Sequence, residues 1–62
     1  MIGEKGIAKT RISPTGTVMV HGELWKAVSL SGDIEEGEMI EVVEVDGLTL
    51  KVKKAEQRGG KE

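Results

Sequence analysis

The side chains of this sequence best suited to nucleophilic or acid–base chemistry are its one histidine, its serines and its acids. His21, together with Ser13, Ser29 or Ser31 and a carboxylate, has the residue types of a catalytic triad. However, no nucleophile-elbow motif or comparable local signature sets any of these serines beside a base. A surface histidine at the end of a strand is the interpretation we favour, and we predict no catalytic residue.

The stretch SGDIEEGE, residues 31–38, is the part of the sequence most similar to a metal-binding loop. It lacks the alternating oxygen ligands of a calcium loop. The paired Glu35 and Glu36 fall in an exposed polar loop, where nothing raises a carboxyl pKa for acid–base work. With no cysteine and a single histidine, thiolate and zinc sites are also excluded. The sequence therefore predicts no metal, no cofactor and no small-molecule substrate.

The length of 62 residues restricts the chain to one small domain. Apolar residues make up 37% and charged residues 32%, with a net charge of −2, which is the composition of a folded domain with an ordinary charged surface. No apolar run approaches the roughly 20 residues that span a bilayer. The N-terminal MIGEKG has no apolar stretch and is not a signal peptide.

The apolar residues fall in short β-branched runs punctuated by glycine, a pattern typical of small all-β barrels. The last run alternates cleanly, so we predict that Leu48, Leu50 and Val52 point inward. Five short strands with a longer link between the third and fourth predict a five-stranded OB-fold barrel, with an SH3-like barrel as the alternative. The predicted strands cover residues 6–12, 17–21, 23–30, 38–45 and 48–53.

Turn-forming residues separate these runs. Asp46-Gly47 is a dipeptide typical of a two-residue hairpin, and Pro14 presets φ in a turn over residues 13–16. In the longest link, Asp33 is a candidate cap for a helical turn, and Ile34 is expected to close one end of the core. The residues predicted to lie in turns or bulges are Pro14, Gly16, Gly22, Gly37, Asp46 and Gly47.

The charges are distributed unevenly along the chain. Residues 23–46 carry eight acids and one base, whereas the flanks carry the other eight bases. If the fourth strand lies between the first and the fifth, its outward acids face bases of those strands, and each pair contributes about 0.2–1 kcal/mol. The bases expected to face the fourth strand are Lys9, Arg11, Lys51 and Lys53.

Trp25 is the only aromatic residue of the chain. We predict a partly buried tryptophan that closes or covers the barrel, in preference to an exposed anchor, with an acceptor for its indole N–H. The candidate partner-contact residues are Trp25, Met19, Ile7 and Met39. An oligonucleotide-binding module is an alternative function, although such modules need a basic groove and stacking aromatics. A structural or oligomerisation domain is a further alternative.

Ordered motifs extend over most of the chain. The pattern G-x-A-x-T-x-I-x-P-x-G-x-V runs from Gly6 to Val18, and H-G-E-L-W-K-A follows it. A third pattern, G-x-x-I-x-V-V-x-V-x-G-L-x-L-x-V, runs from Gly37 to Val52. Together they resemble the C-terminal soluble domain of the NfeD-like family, the operon partners of stomatin-like proteins.

The resemblance implies an OB-fold and a context of transmembrane helices upstream, sometimes with a serine protease domain. No residue of this sequence matches the catalytic positions of that protease domain, so we expect no enzyme activity. The implied role is to engage a stomatin- or prohibitin-like (SPFH-domain) partner in membrane-protein organisation or quality control, tethered to a membrane, with the cytoplasmic side favoured. We expect a membrane-proximal lead-in over residues 1–5, the barrel over 6–53 and a polar tail over 54–62.

Overall fold

The computed structural model describes residues 1–55, which fold into five strands. The strands pair in the order β1-β2-β3-β5-β4, and β4 returns to β1 to close a barrel. The β3–β5 pairing is parallel and the others are antiparallel. The predicted five-stranded OB-fold barrel is confirmed. The strands are β1 Lys5–Ala8, β2 Thr15–Val20, β3 Glu23–Ser29, β4 Met39–Asp46 and β5 Thr49–Lys54.

One aliphatic core fills the barrel. In β5 the predicted alternation holds for Leu50 and Val52, which are fully buried. No polar or charged side chain is buried within residues 1–55, so hydrophobic burial is the main source of stability. The core consists of Ala8, Ile12, Val18, Val20, Ala27, Ile34, Ile40, Val42, Leu50 and Val52.

The β4–β5 hairpin turns one residue later than the sequence predicts. Asp46 is the last residue of β4 and pairs with Thr49, so the two loop residues are Gly47 and Leu48. Gly47 has φ of 66° at the first loop position, where glycine is favoured in hairpin turns. The prediction that Leu48 points inward is wrong, because the residue lies in the loop and is 82% exposed.

The sequence predicts a turn or bulge at Gly22 but not the two-residue hairpin between β2 and β3. Val20 pairs with Glu23, and the two residues between them, His21 and Gly22, have φ of 57° and 76°. Two successive positive φ values are the signature of a type I′ turn, whose twist matches that of the flanking strands. The pairing register of β2 and β3 is therefore set by this turn.

The predicted first strand ends early, at Ala8. The backbone N–H groups of Lys9 and Thr10 both donate to the Thr17 carbonyl, at 2.8 and 3.3 Å, which interrupts the ladder. Gly16 lies within β2, not in the turn where we predicted it. A Cβ at Gly16 would lie 2.6 Å from the Arg11 carbonyl oxygen and 2.9 Å from Ile12 Cγ1, so the missing side chain makes room for the backbone and side chain of residues 11–12.

Ile12 and Ile34 close the end of the barrel at which β2 begins. Their backbones exchange two hydrogen bonds, Ile12 N–H to Ile34 O at 2.8 Å and Ile34 N–H to Ile12 O at 3.0 Å. Both side chains are fully buried, as predicted for Ile34. The predicted helical turn after Asp33 is wrong, because Ile34 forms this bridge in an extended conformation.

Arg11 and Asp33 tie the two loops together outside this bridge. Asp33 accepts hydrogen bonds from the Ser13 hydroxyl at 2.8 Å and from Arg11 Nη2 at 2.9 Å. Arg11 Nε also lies 3.8 Å from a carboxylate oxygen of Glu35. The prediction that Arg11 faces the fourth strand is therefore wrong, because its partners are in the loop between β3 and β4.

The Ser13 hydrogen bond and then the Arg11 hydrogen bond lower the pKa of Asp33 below its ordinary value. Because the pKa is lowered on folding, the ionised carboxylate stabilises the fold at pH values above the ordinary pKa of about 3.9. This contribution is lost as the pH falls through the pKa of the folded state.

We expect Asp33→Asn to unfold at a slightly lower temperature than the wild type near neutral pH. Thermal unfolding of both proteins between pH 7 and pH 2 should show the difference disappearing at the acid end. A difference that grows with acidity would contradict this assignment.

The register of β4 explains part of the charge asymmetry. β4 lies between β1 and β5, with Glu41 opposite both Lys5 and Lys53, and Glu44 opposite Lys51. The prediction is confirmed for Lys51 and Lys53. It is wrong for Lys9, which follows the end of β1 and donates its N–H to Thr17 of β2. A bulge between Val42 and Glu44 accounts for the mixed alternation of this strand.

The ends of the described chain continue the barrel. The Gly3 N–H donates to the Val42 carbonyl at 2.8 Å, so the lead-in runs beside β4. Lys54 ends β5 and Ala55 is buried. The rest of the predicted tail, residues 56–62, lies outside the described residues. Residues 1–55 contain no helix long and apolar enough to cross a membrane.

Candidate interaction surface

Four apolar residues on four neighbouring strands form a continuous row across the barrel. Met19 of β2 is paired with Leu24 of β3 on one side and with Ile7 of β1 on the other. Ile7 is paired in turn with Met39 of β4. We call these four residues, Leu24, Met19, Ile7 and Met39, the apolar row.

The apolar row lies on the outer face of the barrel. In β2, Val18 and Val20 on either side of Met19 are buried in the core, and side chains alternate between the two faces of a strand. Leu24 is 61% exposed and Ile7 is exposed, whereas Met19 and Met39 are half-buried. With about 4.8 Å between strands, the three steps of the row span roughly 14 Å.

A groove of about 640 Å³ adjoins the Met39 end of the row. Ile7 and Met39 line it together with Ser31 and the end of β5. Its wall carries an ion pair, with Lys54 Nζ 3.6 Å from a carboxylate oxygen of Glu38. The apolar row and this groove form one surface with an apolar floor and a charged rim.

The two long sides of the row differ in charge. On one side of the row, Thr17 of β2 lies between two exposed lysines. It pairs with Lys26 of β3, and its carbonyl accepts the N–H of Lys9, which follows β1, so both lysines flank the same side of the row. Neither lysine forms an ion pair with any residue of the described chain. On the other side, Glu41 lies opposite Lys5 and Lys53, and Glu4 contacts His21 at 3.0 Å, so acids and bases are mixed there. One side of the row is therefore basic and the other is nearly neutral.

Trp25 is not part of the apolar row. It pairs with Val18 on the inner face of the barrel and packs, half-buried, against the core. Its indole Nε1 is buried without a hydrogen-bond partner in residues 1–55, contrary to the acceptor that we expected. A stacking platform for oligonucleotides needs exposed aromatic faces, and the outer face of β2 and β3 instead presents Met19 and Leu24.

The other predicted positions are distributed over the loops. Pro14 follows a cis peptide bond between β1 and β2, and Gly37, with φ of 91°, donates its N–H to the Ala8 carbonyl at 2.7 Å. His21 Nε2 lies 3.0 Å from a carboxylate oxygen of Glu4. It forms no hydrogen bond with Ser13, Ser29 or Ser31, the serines considered for a triad. No group of three or more potential metal ligands occurs within residues 1–55.

The sequence pattern alone does not identify Leu24 as a member of the row. The run over residues 23–30 has no clean alternation, so it does not show which of its side chains point outward. The signal was present in His21-Gly22, because a two-residue turn there sets Leu24 opposite Met19.

Comparison with known proteins shows the family to which this barrel belongs. A family described as the NfeD-like C-terminal, partner-binding domain matches residues 1–54. The chain belongs to this family. The match extends over all five strands, and therefore over the whole apolar row. The resemblance noted in the sequence motifs is confirmed, and a partner-binding domain agrees with the expectation that the chain is not an enzyme.

Relatives with known names or structures support the assignment. A membrane-bound protease of Pyrococcus horikoshii is 48% identical over 61 residues, which make up 97% of this chain and 14% of the protease. The solved C-terminal domain of stomatin operon partner protein 1510-C from the same organism is 46% identical, with a TM-score of 0.87 over 92% of this chain and 91% of that one.

A more distant structure has the same fold. The crystal structure of the soluble domain of a Corynebacterium glutamicum membrane protein, implicated in regulation of membrane protease activity, is 28% identical. Its TM-score is 0.77 over 87% of this chain and 92% of that one. The barrel is thus found in relatives described as membrane proteins.

Proposed function

We propose that this domain is a non-enzymatic interaction module that binds a stomatin-like (SPFH-domain) protein through the apolar row. The observation that carries the proposal is the row itself. Four apolar side chains in direct cross-strand register lie on the outside of a barrel whose core is already filled. Contiguous exposed apolar surface is typical of protein contact sites, whereas scattered apolar residues are not.

The family description and the relatives support this choice of partner. The family is described as partner-binding, and one relative is a stomatin operon partner protein. We further propose that the module spans residues 6–53 at least, and that it is tethered to a membrane on the cytoplasmic side. Membrane-protein organisation or quality control is the process in which such a pair would act.

Leu24→Gln is expected to weaken binding of the stomatin-like partner at least about tenfold. Burial of a leucine side chain contributes about 1.5–3 kcal/mol, and about 1.4 kcal/mol corresponds to a tenfold change in affinity. Because Leu24 is already 61% exposed, the substitution should leave the fold intact. Calorimetric titration of the partner's soluble domain into wild-type and variant proteins measures the change.

Val45→Gln is the matched control. Val45 is 39% exposed, lies six residues from Met39 along β4, roughly 20 Å, and does not line the groove. We expect its affinity to stay within twofold of the wild type. Equal losses in both variants, or no loss in Leu24→Gln, would argue against the row as the binding site.

A further inference from the structure

The dimensions of the apolar row match one face of an α-helix. The row runs across the strands for roughly 14 Å, with an apolar side chain about every 4.8 Å. An amphipathic helix presents apolar side chains about once per turn, every 5.4 Å, so about ten residues would cover the row. The four residues of the row would then meet three turns of such a helix.

An extended segment fits this surface less well. The two central residues of the row, Met19 and Ile7, lie on strands that are paired on both sides, so an added strand finds no free edge there. An extended segment lying on the outer face would bury backbone N–H and C=O groups without partners. A helix bonds these groups internally, so it can lie on an apolar surface without that cost.

The charges beside the row favour a helix with one acidic edge. Lys9 and Lys26 flank one side without an ion-pair partner in the described chain, whereas on the other side Glu41 lies opposite Lys5 and Lys53 and Glu4 contacts His21. A helix lying along the row would bring one of its edges next to the two lysines. Acidic side chains at that edge would find complementary charge, and basic ones would be repelled.

We propose that the apolar row binds an amphipathic α-helix of the partner whose apolar stripe is bordered, on the side facing Lys9 and Lys26, by acidic residues. The identity of the partner rests on the proposed function, whereas the helix-binding chemistry of the site does not depend on it. The apolar stripe supplies contact area, and the acidic edge sets the direction in which the helix lies.

Three synthetic peptides of 18 residues test the proposal by calorimetric titration. The first has leucines at i, i+4, i+7 and i+11 and glutamates along one edge of that stripe. The second replaces the glutamates with lysines. The third has the sequence of the first except for a central Pro-Gly that breaks the helix. We expect the glutamate peptide to bind about tenfold more tightly than either of the others, with the difference narrowing in high salt.

The double variant Lys9→Glu/Lys26→Glu should reverse the preference, so that the lysine peptide binds more tightly. Both lysines are exposed, and the amide spectrum of the variant should remain that of the folded barrel. Equal binding of the glutamate and lysine peptides, an unchanged preference in the double variant, or undiminished binding of the Pro-Gly peptide would overturn the proposal.

The same titrations separate the helix site from the identity of the partner. If the peptides behave as expected but the stomatin-like protein does not bind, the proposed function fails and the helix site stands. If that protein binds but the peptides show no charge preference, the helix site fails and the proposed function stands.

Discussion

Gly6→Ala is expected to lower the free energy of unfolding by about 3 kcal/mol or more, near the upper end for overpacked cores. A Cβ at Gly6 would overlap the carbonyl oxygen of Met19 and lie 2.7 Å from Val20 Cγ2. The carbonyl belongs to the backbone of β2, so it cannot move away by changing rotamer. A domain of this size has a total stability of about 3–9 kcal/mol, and the loss is therefore a large part of the whole. Chemical denaturation followed by the single tryptophan measures it.

Gly32→Ala is the control for this substitution. Gly32 has φ of 85° and no atom within 4 Å of an added Cβ. The same chemical change should therefore cost only the conformational strain of alanine at positive φ, about 1–2 kcal/mol. If Gly6→Ala is no more destabilising than Gly32→Ala, β1 and β2 are not packed as closely as described.

Ile34→Ala is expected to cost about 2–5 kcal/mol, the usual range for removing a fully buried isoleucine side chain. Ile34 is completely buried although it lies in the loop between β3 and β4, and its backbone is fixed by the two hydrogen bonds to Ile12. The cavity would open at the end of the barrel that these two residues close. Equilibrium unfolding in urea gives the loss as a lower midpoint.

Ile2→Ala removes the same atoms from a side chain that is 67% exposed. Its effect should stay within about 0.5 kcal/mol, as for most surface substitutions. Similar losses at both positions would mean that Ile34 does not fill the barrel end. A large loss at Ile34 alone supports the closure described above.

The fold followed from the sequence because its strongest signals are local. The alternation in β5 correctly assigned Leu50 and Val52 to the core, and the five runs and the long link led to the right barrel. The errors concern side chains whose positions depend on tertiary contacts. No local pattern shows whether Arg11 bonds to Asp33 or faces β4. The hairpin between β4 and β5 turns one residue later than predicted, which places Leu48 on the surface and not in the core.

The candidate site was predictable in its residue types but not in its arrangement. Ile7, Met19 and Met39 were singled out as exposed apolar residues, yet only the register of four strands shows that they are neighbours. Leu24 completes the row because the His21-Gly22 turn fixes its position, and Trp25, the next residue, belongs to the opposite face. A shift of one residue in the predicted register of β3 would place Trp25 on the outer face and Leu24 on the inner face.

The most direct test of the account is an amide chemical-shift map of the domain during titration with the stomatin-like partner's soluble domain. We predict that the largest shifts fall on Leu24, Met19, Ile7 and Met39 and on the residues that flank them. The closed end of the barrel, at Ser13 and Asp33, should change little. Shifts concentrated at Ser13 and Asp33, or no shifts with the partner in excess, would contradict the claim that the apolar row is the binding surface.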